Sequence, residues 1–475
     1  MGGAAMKIAN PRTGQPDYEI APLDAAAVAD VAARLRARQG DWAAQSPEQR
    51  GVAMLWLADA IGRHAHAIGD ALIADTGRAS ISRIEVDGTT RLIQRWASSA
   101  PALIAAASVE NRQTAMPTIT TATRLVPYPL VGVISPWNFP LTLALIDAIP
   151  ALMAGCAVLI KPSEVTPRFI RPLMTAIGEV TDVPLSVIEG DGATGAALVP
   201  LVDYVAFTGS VATGRKVGEA AARAFIPASL ELGGKDPMIV LASADPVKAA
   251  ATALRASIVN TGQACQSIER VYIARAIAEP FLASLAEQAQ AVRFNYPDIS
   301  QGDIGPFIFA KQAAIVQDQI DDAVAKGARI LAGGRVETLG GGSYLRPTVL
   351  VDVSPDMKVM TEETFGPVIP VTVFDSVDEA IALANSGIYG LSGAVIGGSV
   401  AEAEAVGRRM NVGGVSINDG SLTSMVWEAE KSSFGLSGLG PSRMGDNGLL
   451  RFFRRQAIIR QSGEAAPISA YAEDA

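Results

Sequence analysis

The chain has 475 residues, 49% of them hydrophobic and 18% charged, which is enough apolar material for two or three packed domains and too much for a disordered chain. Its 39 basic and 48 acidic residues leave a net charge of −9 with no basic run, so neither nucleic acid nor an anionic membrane is expected as a partner. Two cysteines make no disulfide framework and point to a reducing, cytoplasmic setting, and two histidines, His64 and His66, give no basis for a metal site.

In chain order, the opening MGGAAMKIANPR lacks the apolar core of a secretory leader. Leu23 to Gln39, Pro47 to Thr76 and Arg83 to Ala107 carry helical periodicity, with His64 and His66 on opposite sides of the second segment. Thr118 to Pro129 (TITTATRLVPYP) alternates and is rich in β-branched residues, which predicts an extended ribbon. From Val131 the texture changes. The short apolar runs VGVI, AVLI, LSVI and YVAF alternate with helix-like segments, the pattern of parallel βαβ units. One stretch, Leu141 to Ile160, has roughly the 20 residues a membrane span needs, but Asp147, Pro150 and Gly155 interrupt it. A buried helix feeding a buried strand is expected there, with Cys156 in the core. After Gly234 a second series begins: PMIVL, RVYIA, ARIL, YLRPTVL, VIPVTVF, SGAVI and GGVSIN. Two α/β domains therefore meet near LELGGKDP.

Several motifs carry chemistry. GDGATG, with Gly190, Gly192 and Gly195, has the spacing of a dinucleotide fingerprint after the strand-like LSVIE. The acidic residue expected about 20 positions on is missing, since Ser210 stands there. A strand-to-helix turn is the better reading. In DYVAFTGSVATG a strand ends at Phe207, Gly209 lets a ligand approach, and Ser210 opens a helix; the hydroxyl either serves a phosphate or simply caps that helix. KPSE places Lys161 and Glu164 just past a buried strand, where they hold either the hydroxyls of a ribose or each other. VNTGQACQSIER sets Cys265 among polar and small residues, unlike a packing cysteine, and so presents a thiol that something must reach.

Taken together the chain resembles the aldehyde dehydrogenase superfamily, in family order and over nearly its whole length: SPWNFP (Ser135 to Pro140), KPSE, FTGS (Phe207 to Ser210), LELGGKDP (Leu230 to Pro237), GQAC (Gly262 to Cys265), EETFGPV (Glu362 to Val368) and SFGLSGLGPSRMG (Ser433 to Gly445). The resemblance implies a Rossmann-like cofactor domain (1–113 and 132–233), a catalytic domain (234–445) and a small β oligomerisation element (114–131 and 446–475), the whole a homodimer or homotetramer. It implies Cys265 as nucleophile, Asn138 as oxyanion donor and Glu231, set between Leu230 and Leu232, as the base that activates water. No histidine is at hand to activate the thiol.

For a nicotinamide cofactor the resemblance implies Trp137, Lys161, Glu164, Gly209, Ser210, Glu363 and Phe365, with NAD expected over NADP because Glu164 would repel a 2′-phosphate. Where the commoner family pattern has PFGG this chain has SFGL. That departure resembles bacterial members acting on bulky apolar or aromatic aldehydes, with Phe139, Leu143, Trp427 and Phe434 expected along the access tunnel. Two alternatives stand beside oxidation to the acid. One is a CoA-acylating or phosphorylating relative, against which Glu231 speaks. The other is a non-catalytic binding protein, against which the complete set Asn138, Glu231 and Cys265 speaks.

Overall fold

The computed structural model describes residues 5–473. Two sheets dominate it. The first has six strands in the order Gly438–Leu439, Ala228–Glu231, Tyr204–Thr208, Leu130–Ile134, Ala157–Lys161 and Leu185–Val187. All pair in parallel except the outermost, Gly438–Leu439, which returns from far along the chain to pair antiparallel with Leu230 and Glu231. The strands Leu130–Ile134, Ala157–Lys161 and Tyr204–Thr208 are buried throughout, as parallel strands covered on both faces must be.

The Leu141 to Ile160 stretch forms the helix Pro140–Ala154 and the strand Ala157–Lys161. Gly155 stops the helix at φ +102°, a conformation side chains resist. The helix is apolar on nearly every face because the long helices pack over it, and Trp42 Nε1 donates to the Leu152 carbonyl at 2.9 Å. Its one acid, Asp147, is fully buried; burial alone would raise its pKa, but Arg443 and Arg451 outweigh burial and hold the carboxyl below its ordinary value. No helix among the described residues is long and apolar enough to cross a membrane.

The expected helix Pro47 to Thr76 is two helices, Pro47–Arg63 and Ala65–Thr76. A capping box of Ser46 and Gln49 starts the first. His64 leaves helical geometry between them, and its Nε2 lies 2.6 Å from Glu179 Oε1, beside Arg63 on the same carboxylate.

The second sheet has seven strands: Arg329–Ala332, Thr348–Val351, Val368–Phe374, Ile268–Ala274, Asp236–Val240, Ser392–Ile396 and Gly414–Ile417. It too is parallel apart from its first pair. YLRPTVL, expected as one strand, is split at Arg346 and Pro347; Gly342–Leu345 pairs instead with Val336–Leu339 in a hairpin. Proline has no N–H to give a ladder, which explains the break. The ribbon runs over Ile119–Pro127 and pairs along its full length with Phe453–Gln461, and Arg112–Gln113 flanks its other edge.

Strand order decides where a ligand can sit. From Leu130–Ile134 the chain steps outward through Ala157–Lys161 to Leu185–Val187, then crosses back to Tyr204–Thr208 on the other side. The order reverses between Leu130–Ile134 and Tyr204–Thr208, and the crevice beyond the carboxyl ends of those strands is the natural binding place. Ser135 to Asn138 leave one of these ends, Gly209 and Ser210 the other, and Lys161 and Glu231 close the two strands alongside.

Candidate active site

Cys265 lies in a turn between the helix Pro246–Ile258 and the strand Ile268–Ala274. The approach to it is strained: Asn260 and Thr261 take φ +56° and +58°, and Gly262 takes φ +70°. A Cβ on Gly262 would come within 2.3 Å of the Gly366 carbonyl carbon, so only glycine fits. Buried amides pay for the strain. Gln263 Nε2 donates to the Asn260 carbonyl at 3.0 Å while its Oε1 accepts from Ile308 N at 2.9 Å. Asn260 Nδ2 donates to the carbonyls of Asn138 (3.0 Å) and Gln263 (2.9 Å). Asn138 completes the knot, its Nδ2 donating to the Gln263 carbonyl at 3.0 Å. An amide nitrogen has two hydrogens, so one N–H remains for a ligand. Arg78, paired with the buried Glu85, donates to the Asn138 carbonyl at 2.7 Å and pins this backbone from behind.

The half-buried Cys265 thiol is pushed up to about 12, chiefly by burial, with Glu363 and Asp236 adding to it. Lys431 is the strongest influence pulling it down and Arg443 a weaker one. Burial also raises Glu363, to about 8, and Asp236, to about 7.

The residues that surround Glu231 are polar. Ser433 Oγ donates to its Oε2 at 3.2 Å, and Arg443 Nε stands 3.8 Å from its Oε1. The leucines on either side in sequence are buried in the core, because neighbouring strand residues point to opposite faces. Lys431, two residues before Ser433, donates to Gln266 Oε1 at 2.9 Å, next to the nucleophile. One loop thus touches both the nucleophile's turn and the carboxylate.

The remaining expected residues gather on the crevice side. Lys161 Nζ meets Glu164 Oε2 at 3.2 Å; the lysine is buried and the carboxylate is 37% exposed. Ser210 caps the helix Val211–Ala224, accepting from Thr213 N at 3.3 Å, and a Cβ on Gly209 would strike the Phe207 ring at 2.6 Å. In GDGATG, Asp191 already accepts from Ala193 N (2.9 Å) and Thr194 N (3.1 Å). Those N–H groups, the ones a phosphate would use, are taken, so the motif is a capped turn. Gly234 N donates to Glu363 Oε1 at 3.2 Å. The Trp137 and Phe365 rings meet edge-on at 5.4 Å, which brings SPWNFP and EETFGPV together.

Of the expected tunnel residues, Phe139 lies under the Arg78 guanidinium at 4.8 Å and Leu143 follows one turn on. Phe434, 41% exposed, pairs with the strand Tyr389–Gly390, and the Trp427 carbonyl accepts from Gly445 N. Sequence reasoning missed Gln263, Asn260, Lys431, Ser433 and Arg443 as site residues. It also missed a buried support: Lys235 and Glu269 pair at 2.8 Å, and Glu269 accepts from the backbone N–H groups of Thr364 and Phe365 at 2.8 Å each. The signal was present in Glu269, a lone acid inside the apolar strand Ile268–Ala274. Nothing in the local sequence marks Lys431.

Comparison with known proteins bears on the fold and the family. Residues 2–458 match the aldehyde dehydrogenase family. A protein of Mycolicibacterium smegmatis that carries the name of a succinate-semialdehyde dehydrogenase [NADP(+)] is 37% identical over 437 residues, 91% of this chain and 84% of that one. The solved structure of an Anabaena variabilis protein assigned as the aldehyde dehydrogenase PutA superposes with a TM-score of 0.95 at 50% identity, over 98% of this chain and 99% of that one. A betaine aldehyde dehydrogenase from Staphylococcus aureus, solved in complex with NAD+, gives 0.90 at 28% identity, over 98% and 94%.

Proposed function

The chain belongs to the aldehyde dehydrogenase family, and on that footing we propose that it oxidises a bulky apolar or aromatic aldehyde to the carboxylic acid, with NAD in preference to NADP. The observation that carries the mechanism is the hydrogen-bonded union of Asn138 with the Cys265 turn through the Gln263 carbonyl. It fixes an amide donor beside a reachable thiol, the pair that acyl chemistry on a cysteine requires.

The Cys265 thiolate attacks the aldehyde carbon, forming the C–S bond while the carbonyl electrons move to oxygen. The free N–H of Asn138 and the backbone N–H of Cys265 receive that charge. A bound nicotinamide dinucleotide supplies the hydride acceptor that lets the thiohemiacetal become a thioester. Glu231 then takes a proton from water as the water attacks the thioester, the C–S bond breaks, and the acid leaves. Ser433 and Arg443 hold the Glu231 carboxylate in place for this.

The crevice fits the dinucleotide. Among the described residues Ser135 Oγ is buried there without a hydrogen-bond partner, Gly209 keeps the chain close to the Phe207 ring, and Glu164 stays open to solvent beside Lys161. Lys161 and Glu164 would hold the adenosine ribose, Gly209 and Ser210 the pyrophosphate, and Glu363, with Trp137 and Phe365, the nicotinamide side. Glu164 supports NAD, since a carboxylate faces the 2′-phosphate of NADP with like charge.

For the substrate, Phe139 and Leu143 on the helix side and Phe434 and Trp427 on the loop side supply apolar surface. A second reading has one observation behind it: Lys431 is a cation near Cys265 and would suit a carboxylate-bearing aldehyde, in keeping with the name of the mycobacterial relative. A panel of aliphatic, aromatic, terpenoid and carboxylated aldehydes, read by NADH production without CoA or phosphate, tests all of this. The highest kcat/KM should fall to an aromatic or terpenoid aldehyde. A preference for a carboxylated one would replace the substrate reading, and acid formed only with added CoA would replace the reaction.

We further propose that the 1–113 and 132–233 segments form the cofactor domain and 234–445 the catalytic domain. The Ile119–Pro127 ribbon with Phe453–Gln461 would join copies of the chain into a dimer or tetramer in the cytoplasm; the outer strand, exposed along eight of nine residues, supports this.

A further inference from the structure

A cysteine without a histidine partner needs another source of thiolate, and the loop before Ser433 supplies a candidate. Lys431 is half-buried, its stem laid along Gly414, where an added Cβ would meet Lys431 Cδ at 2.9 Å. Among the described residues its ammonium has one hydrogen bond, to the neutral Gln266 amide, and no carboxylate in ion-pair contact. An ammonium partly withdrawn from water with no counter-charge in contact carries a cost. Such a group persists where a negative charge arises in use. The charged and titratable groups facing Lys431 are Cys265, Glu231, Asp236 and Arg443, and those facing Cys265 are Lys431, Glu363, Asp236 and Arg443. Glu231 already has Ser433 and Arg443, and Asp236 is engaged by Ser392 through both the Ser392 N–H and its hydroxyl. Among the described residues Cys265 alone of these groups has no side-chain hydrogen bond of its own for a developing charge.

We propose that Lys431, aimed by Gln266, is the cation that holds the Cys265 thiolate, the role a histidine plays in many cysteine enzymes. The thiol proton leaves to solvent, Lys431 keeps its own protons, and the sulfur carries the charge until it bonds to carbon. This goes beyond the reaction proposed above and rests on Cys265 being its nucleophile. It also assigns the cation to the sulfur instead of to the far end of the substrate. The direction agrees with the pull of Lys431 against the burial of the thiol; burial also lowers Lys431 itself, and the negative charge of Cys265, Glu231 and Asp236 acts to keep it protonated.

The test is the pH dependence of alkylation by iodoacetamide in the full-length enzyme, with the modified peptide identified by mass. Lys431→Gln should move the Cys265 profile upward by about one pH unit, which slows alkylation at neutral pH about tenfold. Lys431→Arg, which keeps the charge, should stay close to wild type, and Gln266→Leu should shift the profile upward by less. Gln266→Leu decides the matter alone if Lys431→Gln does not fold, as judged by cofactor binding. A Lys431→Gln profile that superimposes on wild type overturns the proposal. So does a Lys431→Gln enzyme whose only defect is a raised KM for carboxylated aldehydes, which would place the cation on the substrate. Wild-type enzyme that stays fully active with Cys265 alkylated would remove the nucleophile and this role with it.

Discussion

Cys156 and Cys265 are both pushed toward the neutral thiol by burial, yet their surroundings have opposite purposes. Cys156 sits between the helix Pro140–Ala154 and the strand Ala157–Lys161, fully enclosed, its Sγ 3.7 Å from the Phe452 carbonyl. Arg50 and Arg454 pull its thiol down against the larger effect of burial, but it is sealed from any ligand. Cys265 is half-buried, on a turn bent through three left-handed residues, with Lys431 and Arg443 facing it. Burial alone therefore does not separate a reactive thiol from an inert one. Access does, since cations stand near both: Arg50 and Arg454 near Cys156, Lys431 and Arg443 near Cys265. The same contrast of closed and open recurs in two lysine–glutamate pairs. Lys235 and Glu269 are both sealed, and the carboxylate's two oxygens are spent on backbone N–H groups. Lys161 and Glu164 leave the carboxylate open to the crevice.

Replacing each cysteine tests the first contrast most severely. Cys265→Ser should lower turnover by on the order of a thousandfold or more while cofactor binding persists, because a hydroxyl without a strong base is a far poorer nucleophile. Cys156→Ala should leave turnover alone and cost about 1 kcal/mol of stability for the lost packing. Activity loss in the second variant and not the first would reverse the assignment. The open side can be sharpened further with Glu231→Gln, measured by stopped flow. A burst of NADH should survive while the steady-state rate falls by about a hundredfold, since the thiol and its amide donor remain and only water activation is lost. Disappearance of the burst would mean that Glu231 also draws the proton from Cys265.

The closed side was largely readable from the amino acids. Parallel strands buried on both faces announce themselves as apolar runs, and VGVI, AVLI and YVAF each stand where a central strand lies. Asn138, Glu231 and Cys265 lie in motifs distinctive enough to single out. What escaped notice was of two kinds. Helix continuity across His64 and strand continuity across Pro347 failed because one residue left the regular conformation within an otherwise periodic run. Lys431, Ser433 and Arg443 failed for a different reason. They reach Gln266 and Glu231 across 165 to more than 200 positions of chain, and no local spacing carries a contact of that range. Glu231 shows the same limit, since its sequence neighbours are leucines and its spatial neighbours a serine and an arginine.

The sealed lysine–glutamate pair should respond as a structural element. Glu269→Gln leaves a buried ammonium without its counter-charge and loosens the Thr364 and Phe365 backbone, at a cost of about 3–5 kcal/mol. Thermal unfolding should fall accordingly, with activity reduced in step with the folded fraction. An unchanged melting temperature would show that the pair contributes nothing to the fold, and the distinction between sealed and open pairs would lose its energetic content.

The open pair should respond in specificity and hardly at all in stability. Glu164 is more than a third exposed, so its ion pair with Lys161 is worth little to the fold and Glu164→Gln should unfold close to wild type. Its effect belongs in the ratio of kcat/KM for NAD to that for NADP. In wild type the carboxylate would accept from the ribose hydroxyls of NAD and repel the 2′-phosphate of NADP, so NAD should be preferred. Glutamine keeps the side chain's length and removes the charge. The ratio should then narrow by about three- to tenfold, the effect of one screened charge at short range, with most of the change in KM for NADP. Lys161 sharpens the expectation: freed from Glu164, its ammonium can turn to the phosphate, so the narrowing should weaken as salt is raised. A wild-type preference for NADP would overturn the assignment of Glu164. A ratio that stays fixed in Glu164→Gln would place the discrimination elsewhere in the crevice.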